Sequence, residues 1–412
     1  MIESPTVASI LLRASGINAH PVDIDTMTDL KRHLGEIDVP SDEIEKVADS
    51  FLYCTLKLEG VDTRAANILR EYLENLGGGI AMRREAREFT VRTTDLIITG
   101  SRRTLELLSR RLKGEPFGLE TIGTEISSCL ATANMVMRWG NRVLDFTRKT
   151  YVMGILNTTP DSFYPESRIT AKEAARAAEK MVCAGVDIID VGGESSRPGS
   201  DPVSLEEEVK RVIPVVQSIR DESDVMISVD TRKKEVAERA LDAGADIIND
   251  ISGLRHNEEL ARMLAKRRVP IVLMHMRGAP KTMQKNPFYK NTISEIIREL
   301  TPSVTHALGA GISPDMIIVD PGIGFGKRIQ DNLRIIKELA SLKSLNFPIL
   351  VGLSRKAFIG EILDRPVEKR LIGTITANTL AVINGANIIR VHDVGDAVEM
   401  VKIIDSVRRI GA

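Results

Sequence analysis

The sequence predicts a (β/α)8 TIM barrel over residues 149–412, preceded by a smaller α/β domain over residues 1–148. Three observations carry this expectation. From Tyr151 onward, short runs rich in Val and Ile alternate with helical stretches eight times. The runs are apolar throughout rather than at every second position, as strands buried on both faces are. Most of them end in a polar or glycine-rich motif, where the loops of a barrel gather its functional groups.

The strands are expected at Tyr151–Leu156, Val186–Val191, Val225–Val229, Asp246–Asn249, Pro270–Met274, Met316–Val319, Pro348–Val351 and Asn387–Val391. Between them lie helical patterns at Ala171–Ala184, Leu205–Asp221, Lys233–Ala243, Asn257–Lys266, Ser294–Ala307, Ile329–Leu342, Glu368–Asn384 and Asp396–Arg409. Gly185, Gly244 and Gly385 directly precede strands, where glycine supplies the left-handed end of a helix. A doubly wound open sheet would also alternate in this way, but the count of eight favours closure. The first part of the chain is less regular. Phe51–Glu59 and Thr94–Thr99 read as strands, and Thr63–Leu76, Thr104–Leu112 and Leu119–Ala133 as helices. The pairs Arg83-Arg84, Arg102-Arg103 and Arg110-Arg111 read as solvated faces. No Pro/Gly/Ser linker separates the two parts, so they are expected to pack.

At 412 residues the chain exceeds one ordinary domain. A composition 43% hydrophobic and 27% charged, with net charge −1, describes a globular protein. It offers no long-range field for nucleic acid or an anionic membrane, so any anion binding must be local. No run approaches the ~18 apolar residues of a membrane span, and the first residues lack a signal-peptide pattern. Cys54, Cys129 and Cys183 have no neighbours at metal spacing and read as small core residues of a protein from a reducing cytoplasm.

The strand ends supply the chemistry. The first strand runs into Asn157-Thr158-Thr159-Pro160-Asp161-Ser162-Phe163, and the second into Gly192-Gly193-Glu194-Ser195-Ser196-Arg197-Pro198-Gly199. The third ends Val229-Asp230-Thr231, the fourth Asn249-Asp250-Ile251-Ser252-Gly253, and the fifth Met274-His275. The sixth leads to Asp320-Pro321-Gly322-Ile323-Gly324-Phe325-Gly326-Lys327, the seventh to Ser354-Arg355-Lys356, and the eighth to Arg390-Val391-His392-Asp393. Asp230, Asn249, Asp320 and Lys356 are short-reach donors and acceptors suited to a flat heterocycle such as a pterin's 2-amino-4-oxo face. Arg197, Lys327, Arg390 and His392, with the amide oxygen of Asn157, suit an anion and a divalent cation. Forked guanidinium donors match phosphate oxygens, and Mg²⁺ takes oxygen ligands. Each residue alone is a weak signal, since an Asp closing a strand also caps helices. The agreement of eight strand ends is what counts.

With these motifs the barrel resembles the dihydropteroate synthases of folate biosynthesis. The resemblance runs from Tyr151 to Arg409 and is densest in Gly-Ile-Leu-Asn, Gly-Gly-Glu-Ser-x-Arg-Pro-Gly, Asn-Asp-Ile-Ser-Gly and Ser-Arg-Lys. Arg64-Ala65-Ala66-Asn67-Ile68-Leu69 resembles an extension on some members. The resemblance implies condensation of 6-hydroxymethyl-7,8-dihydropterin diphosphate with p-aminobenzoate, the C–O bond breaking largely before the amine attacks. It implies Asp230, Asp320 and Lys356 as catalytic groups, with Asn249 and Met274 completing the pterin site. Asn157, Arg390 and His392 would hold the diphosphate, and Asn157 a Mg²⁺ ion. Asp161, Phe163, Ser196, Arg197 and Phe325 would shape the acceptor site. The partners are small molecules, with no nucleic acid and no membrane, and a homodimer is one assembly left open.

Three departures fall near the acceptor loops. Tyr164-Pro165-Glu166 replaces the family's Ser-Asp-Gly, Ser196 stands for Thr, and Ala357 stands for a Ser that helps hold the acceptor carboxylate. A synthase for a carboxylate-free aryl amine, as in methanopterin assembly, is therefore the nearest rival. A pterin-dependent methyltransferase module and a non-catalytic pterin binder are further ones, but neither needs the diphosphate-side residues.

Overall fold

The structure, a computed structural model, describes residues 27–47, 51–131, 135–158, 171–195, 201–255, 257–279 and 281–409. The chain divides into two compact units, one up to Leu130 and one spanning Ala131–Ile410. Among the described residues no helix is long and apolar enough to cross a membrane.

In the first unit, helices α1 (Met27–Gly35) and α2 (Ser41–Val47) meet through Leu30, Leu34 and Ile44. Strand β1 (Tyr53–Asp62) is followed by α3 (Thr63–Asn75), β2 (Gly79–Met82), the short α4 (Arg84–Arg87), β3 (Thr93–Ser101), α5 (Arg102–Arg111) and α6 (Leu119–Leu130). The strands form an antiparallel sheet in the order β1-β3-β2. Alternation along β3 buries Leu96 and Ile98 and exposes Ile97, as a sheet covered on one face requires. Leu69, Leu73, Leu105, Leu108 and Ile126 of the helices complete the core. Side-chain caps start α3 and α5: Asp62 accepts from Arg64 N at 2.9 Å and Ser101 from Thr104 N at 3.1 Å.

The second unit opens with a hairpin, β4 (Val136–Trp139) and β5 (Arg142–Asp145). The barrel then runs β6 (Tyr151–Asn157), α7 (Ala171–Cys183), β7 (Ile188–Gly192), α8 (Leu205–Glu222), β8 (Met226–Asp230) and α9 (Lys234–Asp242). It continues β9 (Ile247–Asp250), α10 (Glu258–Arg267), β10 (Ile271–Met274), α11 (Thr292–Gly309), β11 (Ile317–Asp320), α12 (Ile329–Lys337) and β12 (Leu350–Val351). Helices α13 (Ala357–Leu363) and α14 (Leu371–Ile383), strand β13 (Ile388–Val391) and helix α15 (Val394–Arg408) complete it. All eight strands pair in parallel in the order β11-β10-β9-β8-β7-β6-β13-β12. A parallel bridge between Val319 and Ile349 joins the two ends, so the sheet closes.

The hairpin shows why the barrel unit begins earlier than residue 149. Met137, Leu144 and Phe146 pack against Tyr151, Met153, Ile188, Ile247, Val272, Ile318, Leu350 and Ile388. These barrel residues sit at the strand starts, so the hairpin plugs the apolar bottom of the barrel. Too short to read as strands in a polar stretch, its two arms gain their order from this burial. Other differences are local. β2 was not expected, a helix does start at Ala357 directly after Lys356, and the helix expected from Glu368 starts at Leu371. Of the cysteines expected in the core, Cys54 is half-buried and packs against the core of the first unit, whereas Cys129 and Cys183 are exposed. Both lie near the ends of helices, on faces turned to solvent.

Candidate active site

Alternation along the barrel strands sorts side chains between the outer helices and the interior, and the interior is layered. The bottom layer is the apolar one that the hairpin covers. Above it the inward positions turn polar: Asp190 on β7, Ser228 on β8, Asn249 on β9, Asp320 on β11 and Arg390 on β13. All but Arg390 are almost wholly shielded from solvent. Asn157 and Asp230 end their strands one level higher, flanking Gly192, where a side chain would meet both.

Arg390 ties this layer together. Its Nε donates to Asp190 Oδ2 at 2.6 Å and its Nη2 to Asp230 Oδ2 at 3.2 Å, while Asn249 Nδ2 donates to the same Asp190 oxygen at 3.2 Å. The expected pterin and anion groups are thus not separate: Arg390, expected on the diphosphate side, touches Asp230, expected on the pterin side. Asp320 ends β11 and holds the turn that follows, accepting from Gly322 N at 2.7 Å. Gly322 has φ +66°, and a Cβ there would run into the His275 carbonyl, so the turn needs glycine.

Burial sets the electrostatics. It raises Asp230, against the pull of Arg390 and with the push of Asp190. It raises Asp320 to about 6, opposed by the Gly322 hydrogen bond and Lys356. Lys356 falls to about 8, through burial and Arg390. His392 falls to about 4, held neutral by burial and then by Arg390 and Arg355. Its Nδ1 shares a hydrogen bond with Ser354 Oγ at 3.0 Å, and Ser354 also accepts from His392 N at 3.2 Å. Carboxyls raised and a lysine lowered in one mouth are what an acid–base and charge-stabilising site displays.

A cavity of about 780 Å³ opens above this layer; Asn157, Phe325, Lys356, Ala357, Arg390 and His392 are among its walls. Lys356 Nζ stands 4.4 Å from the centre of the Phe325 ring, and Met274, Met276 and Met283 pack with Phe325. Of the expected site residues, Asn157, Asp230, Asn249, Met274, Asp320, Phe325, Lys356, Arg390 and His392 gather at this mouth. Asp161, Phe163, Ser196 and Arg197 lie outside the described residues, as do Pro165 and Glu166.

Lys327, whose motif suggested an anion group, lines the cavity with its ammonium engaged by neighbouring groups of the chain. It is buried, its Nζ 2.9 Å from His275 Nδ1 and donating to Phe325 O at 3.0 Å. His275 Nε2 in turn meets Glu299 at 3.0 Å, and Glu299 also pairs with Arg277. Burial lowers Lys327 to about 7 and His275 to about 4. This network braces the loop after β11. Asp190, to which the sequence reading gives no role, sits inside its strand, before the polar motif that follows.

The pattern of the pterin binding enzyme family matches residues 153–392. The dihydropteroate synthase of Synechocystis sp. is 46% identical over 272 residues, 66% of this chain and 94% of that protein.

The chain belongs to the dihydropteroate synthase family.

A solved dihydropteroate synthase from Yersinia pestis, in a sulfonamide drug complex, superposes with a TM-score of 0.64 at 40% identity, covering 66% of this chain and 99% of that one. The Xanthomonas albilineans synthase with 4-aminobenzoic acid gives 0.62 at 38%, covering 67% and 98%. A Halobacterium salinarum relative, named a probable bifunctional folylpolyglutamate synthase/dihydropteroate synthase, is 37% identical over 391 residues, 94% of this chain and 47% of that protein. Likeness to that member of the dihydropteroate synthase family extends into the first unit.

Proposed function

We propose that the barrel condenses 6-hydroxymethyl-7,8-dihydropterin diphosphate with p-aminobenzoate, giving 7,8-dihydropteroate and diphosphate. The observation that carries this reading is the buried layer in which Arg390 links Asp190 and Asp230 beside Asn249, at the floor of a cavity walled by Asn157, Lys356 and His392. Asp230 and Asn249 face the donor–acceptor edge of the pterin, and Lys356 and Met274 orient and cover it. As the methylene C–O bond breaks, its electron pair leaves with the diphosphate, and positive charge spreads into the ring. Asp230 and Asp320 stabilise that charge, already fixed in a dry site, so little reorganisation is needed. The amine lone pair then forms the C–N bond, and the nitrogen releases its proton.

The departing diphosphate is held by Arg390, by His392 as a neutral hydrogen-bonding group, and by Asn157. Among the described residues no three His, Cys, Asp or Glu side chains stand together as metal ligands. A magnesium ion fits here as one carried largely by the diphosphate and water, with the Asn157 oxygen as a protein ligand, the usual habit of this ion with phosphates. When bound it supplies charge neutralisation of the leaving group. Calorimetric titration of diphosphate should show much tighter binding with Mg²⁺ than without; equal affinity removes the ion from the site.

The decisive assay is diphosphate release from the pterin diphosphate with a panel of aryl amines. Ala357 lines the cavity without a hydroxyl, which keeps a carboxylate-free amine as the second reading. A preference for such an amine by more than about tenfold, some 1.4 kcal/mol, replaces p-aminobenzoate with it. Relatives solved with 4-aminobenzoate, from Xanthomonas albilineans and Thermus thermophilus, support the carboxylate.

A further inference from the structure

Asp190 is fully buried in β7, yet its bonding differs from that of the carboxylates that brace the fold. Asp250 accepts from Ser252 N and Leu254 N, both at 2.7 Å, and Asp405 from Thr150 N at 2.9 Å, so each ties down backbone. Asp190 accepts instead from two side chains assigned to substrate, Arg390 Nε at 2.6 Å and Asn249 Nδ2 at 3.2 Å, both on Oδ2. Its Oδ1 is buried without a partner. Ser228, beside it in the β7–β8 register, carries a hydroxyl in the same condition. A buried carboxylate with an open oxygen is costly to a fold that uses it only for stability.

The two ends of the Arg390 guanidinium are also unequal. The Nε contact to Asp190 is 2.6 Å and the Nη2 contact to Asp230 is 3.2 Å. We infer that Asp190 is a positioning residue: it hinges Arg390 at Nε and holds the Asn249 amide, so that the far end of the guanidinium exchanges Asp230 for diphosphate without the side chain leaving its place. This inference rests on the proposed function. When the donor edge of the pterin takes Asp230, the N–H groups of Arg390 that it releases meet the diphosphate attached to the same ligand. One carboxylate thereby aligns the groups that bind the ring and the leaving group.

Asp190→Asn is isosteric and leaves Arg390 paired one-to-one with Asp230, so the thermal midpoint should hold or rise. A carboxylate serving the fold alone would lower it. With Arg390 unhinged, kcat should fall about tenfold to a hundredfold and diphosphate affinity, read by calorimetry, about tenfold, with KM for p-aminobenzoate within about threefold. In an Arg390→Lys background the same change should cost less than about threefold more, because the two residues act as one unit. Fully additive losses, wild-type kcat and diphosphate affinity, or a loss that tracks a lowered midpoint overturns the inference. Asp190→Ser is the second variant, and failure of both to fold assigns Asp190 to the fold and also overturns it. A wild type that binds diphosphate but does not condense the two substrates sinks the proposed function, and the calorimetric comparison then decides the role of Asp190 by itself.

Discussion

Asp230→Asn tests the placement of the pterin most directly. The substitution keeps the shape of the side chain and removes its charge at a position 9% exposed. Arg390 keeps its 2.6 Å bond to Asp190, so no unpaired cation is left behind and folding should be intact. What is lost is a charged hydrogen bond to the ring's amino edge and a negative charge beside the developing cation. A charged hydrogen bond contributes ~1.5–3 kcal/mol. Taken wholly in the transition state, this lowers kcat/KM for the pterin diphosphate by roughly tenfold to 150-fold. Initial rates of diphosphate release at saturating p-aminobenzoate measure it, with the thermal midpoint as control. Activity within twofold of wild type, or a loss confined to KM for p-aminobenzoate, refutes the reasoning, because both place the pterin elsewhere.

Other expectations follow from the same geometry. With Asp320 raised to about 6 and Lys356 lowered to about 8, kcat/KM should fall below the first value as the carboxyl gains a proton and above the second as the ammonium loses one; a plateau through both refutes the pair. Folded Asp320 keeps its proton to higher pH than the unfolded chain does, so its ionisation lowers stability as pH rises from 3.8 to about 6 and adds no slope above. Chemical denaturation across that window should show the slope in wild type and lose it in Asp320→Asn. Ser354→Ala removes the 3.0 Å partner of His392 Nδ1 and should weaken diphosphate binding by up to about tenfold, ~0.5–1.5 kcal/mol, in calorimetry. Ala357→Ser should lower KM for p-aminobenzoate by a similar factor and leave a carboxylate-free amine unchanged, which paired kinetics would decide. Leu144→Ala, at the plugged bottom of the barrel, should destabilise by about 2–5 kcal/mol in denaturant unfolding while kcat per folded molecule holds. An unchanged midpoint there removes the hairpin from the barrel core.

Much of the barrel and its mouth was legible because the relevant signals are local. A strand buried on both faces must be apolar along its length, so a polar residue at its end, such as Asn157, Asp230, Asn249 or Asp320, stands out at once. Glycines at positive φ, such as Gly322, mark the turn that directly follows Asp320. The first unit was legible to a similar depth in its long elements and not in β2, whose four residues follow a run of glycines and are ordered by pairing with β3.

Tertiary structure decided what depends on closure. Arg390 and Asp190 are 200 positions apart, and no period in the sequence relates them. They meet because β13, β6 and β7 are neighbours once the sheet closes, and because both residues fall on the inward face at one level. The same holds for Lys327, whose motif suggested an anion site. Its ammonium is directed by the fold onto His275, a residue 52 positions earlier, because β10 and β11 pair and the glycine turn folds back over them. Sequence determined which residues reach the mouth of the barrel, since strand periodicity and turn chemistry act over a few residues. Closure of the barrel decided which of them touch, since a hydrogen bond is settled by distance in space.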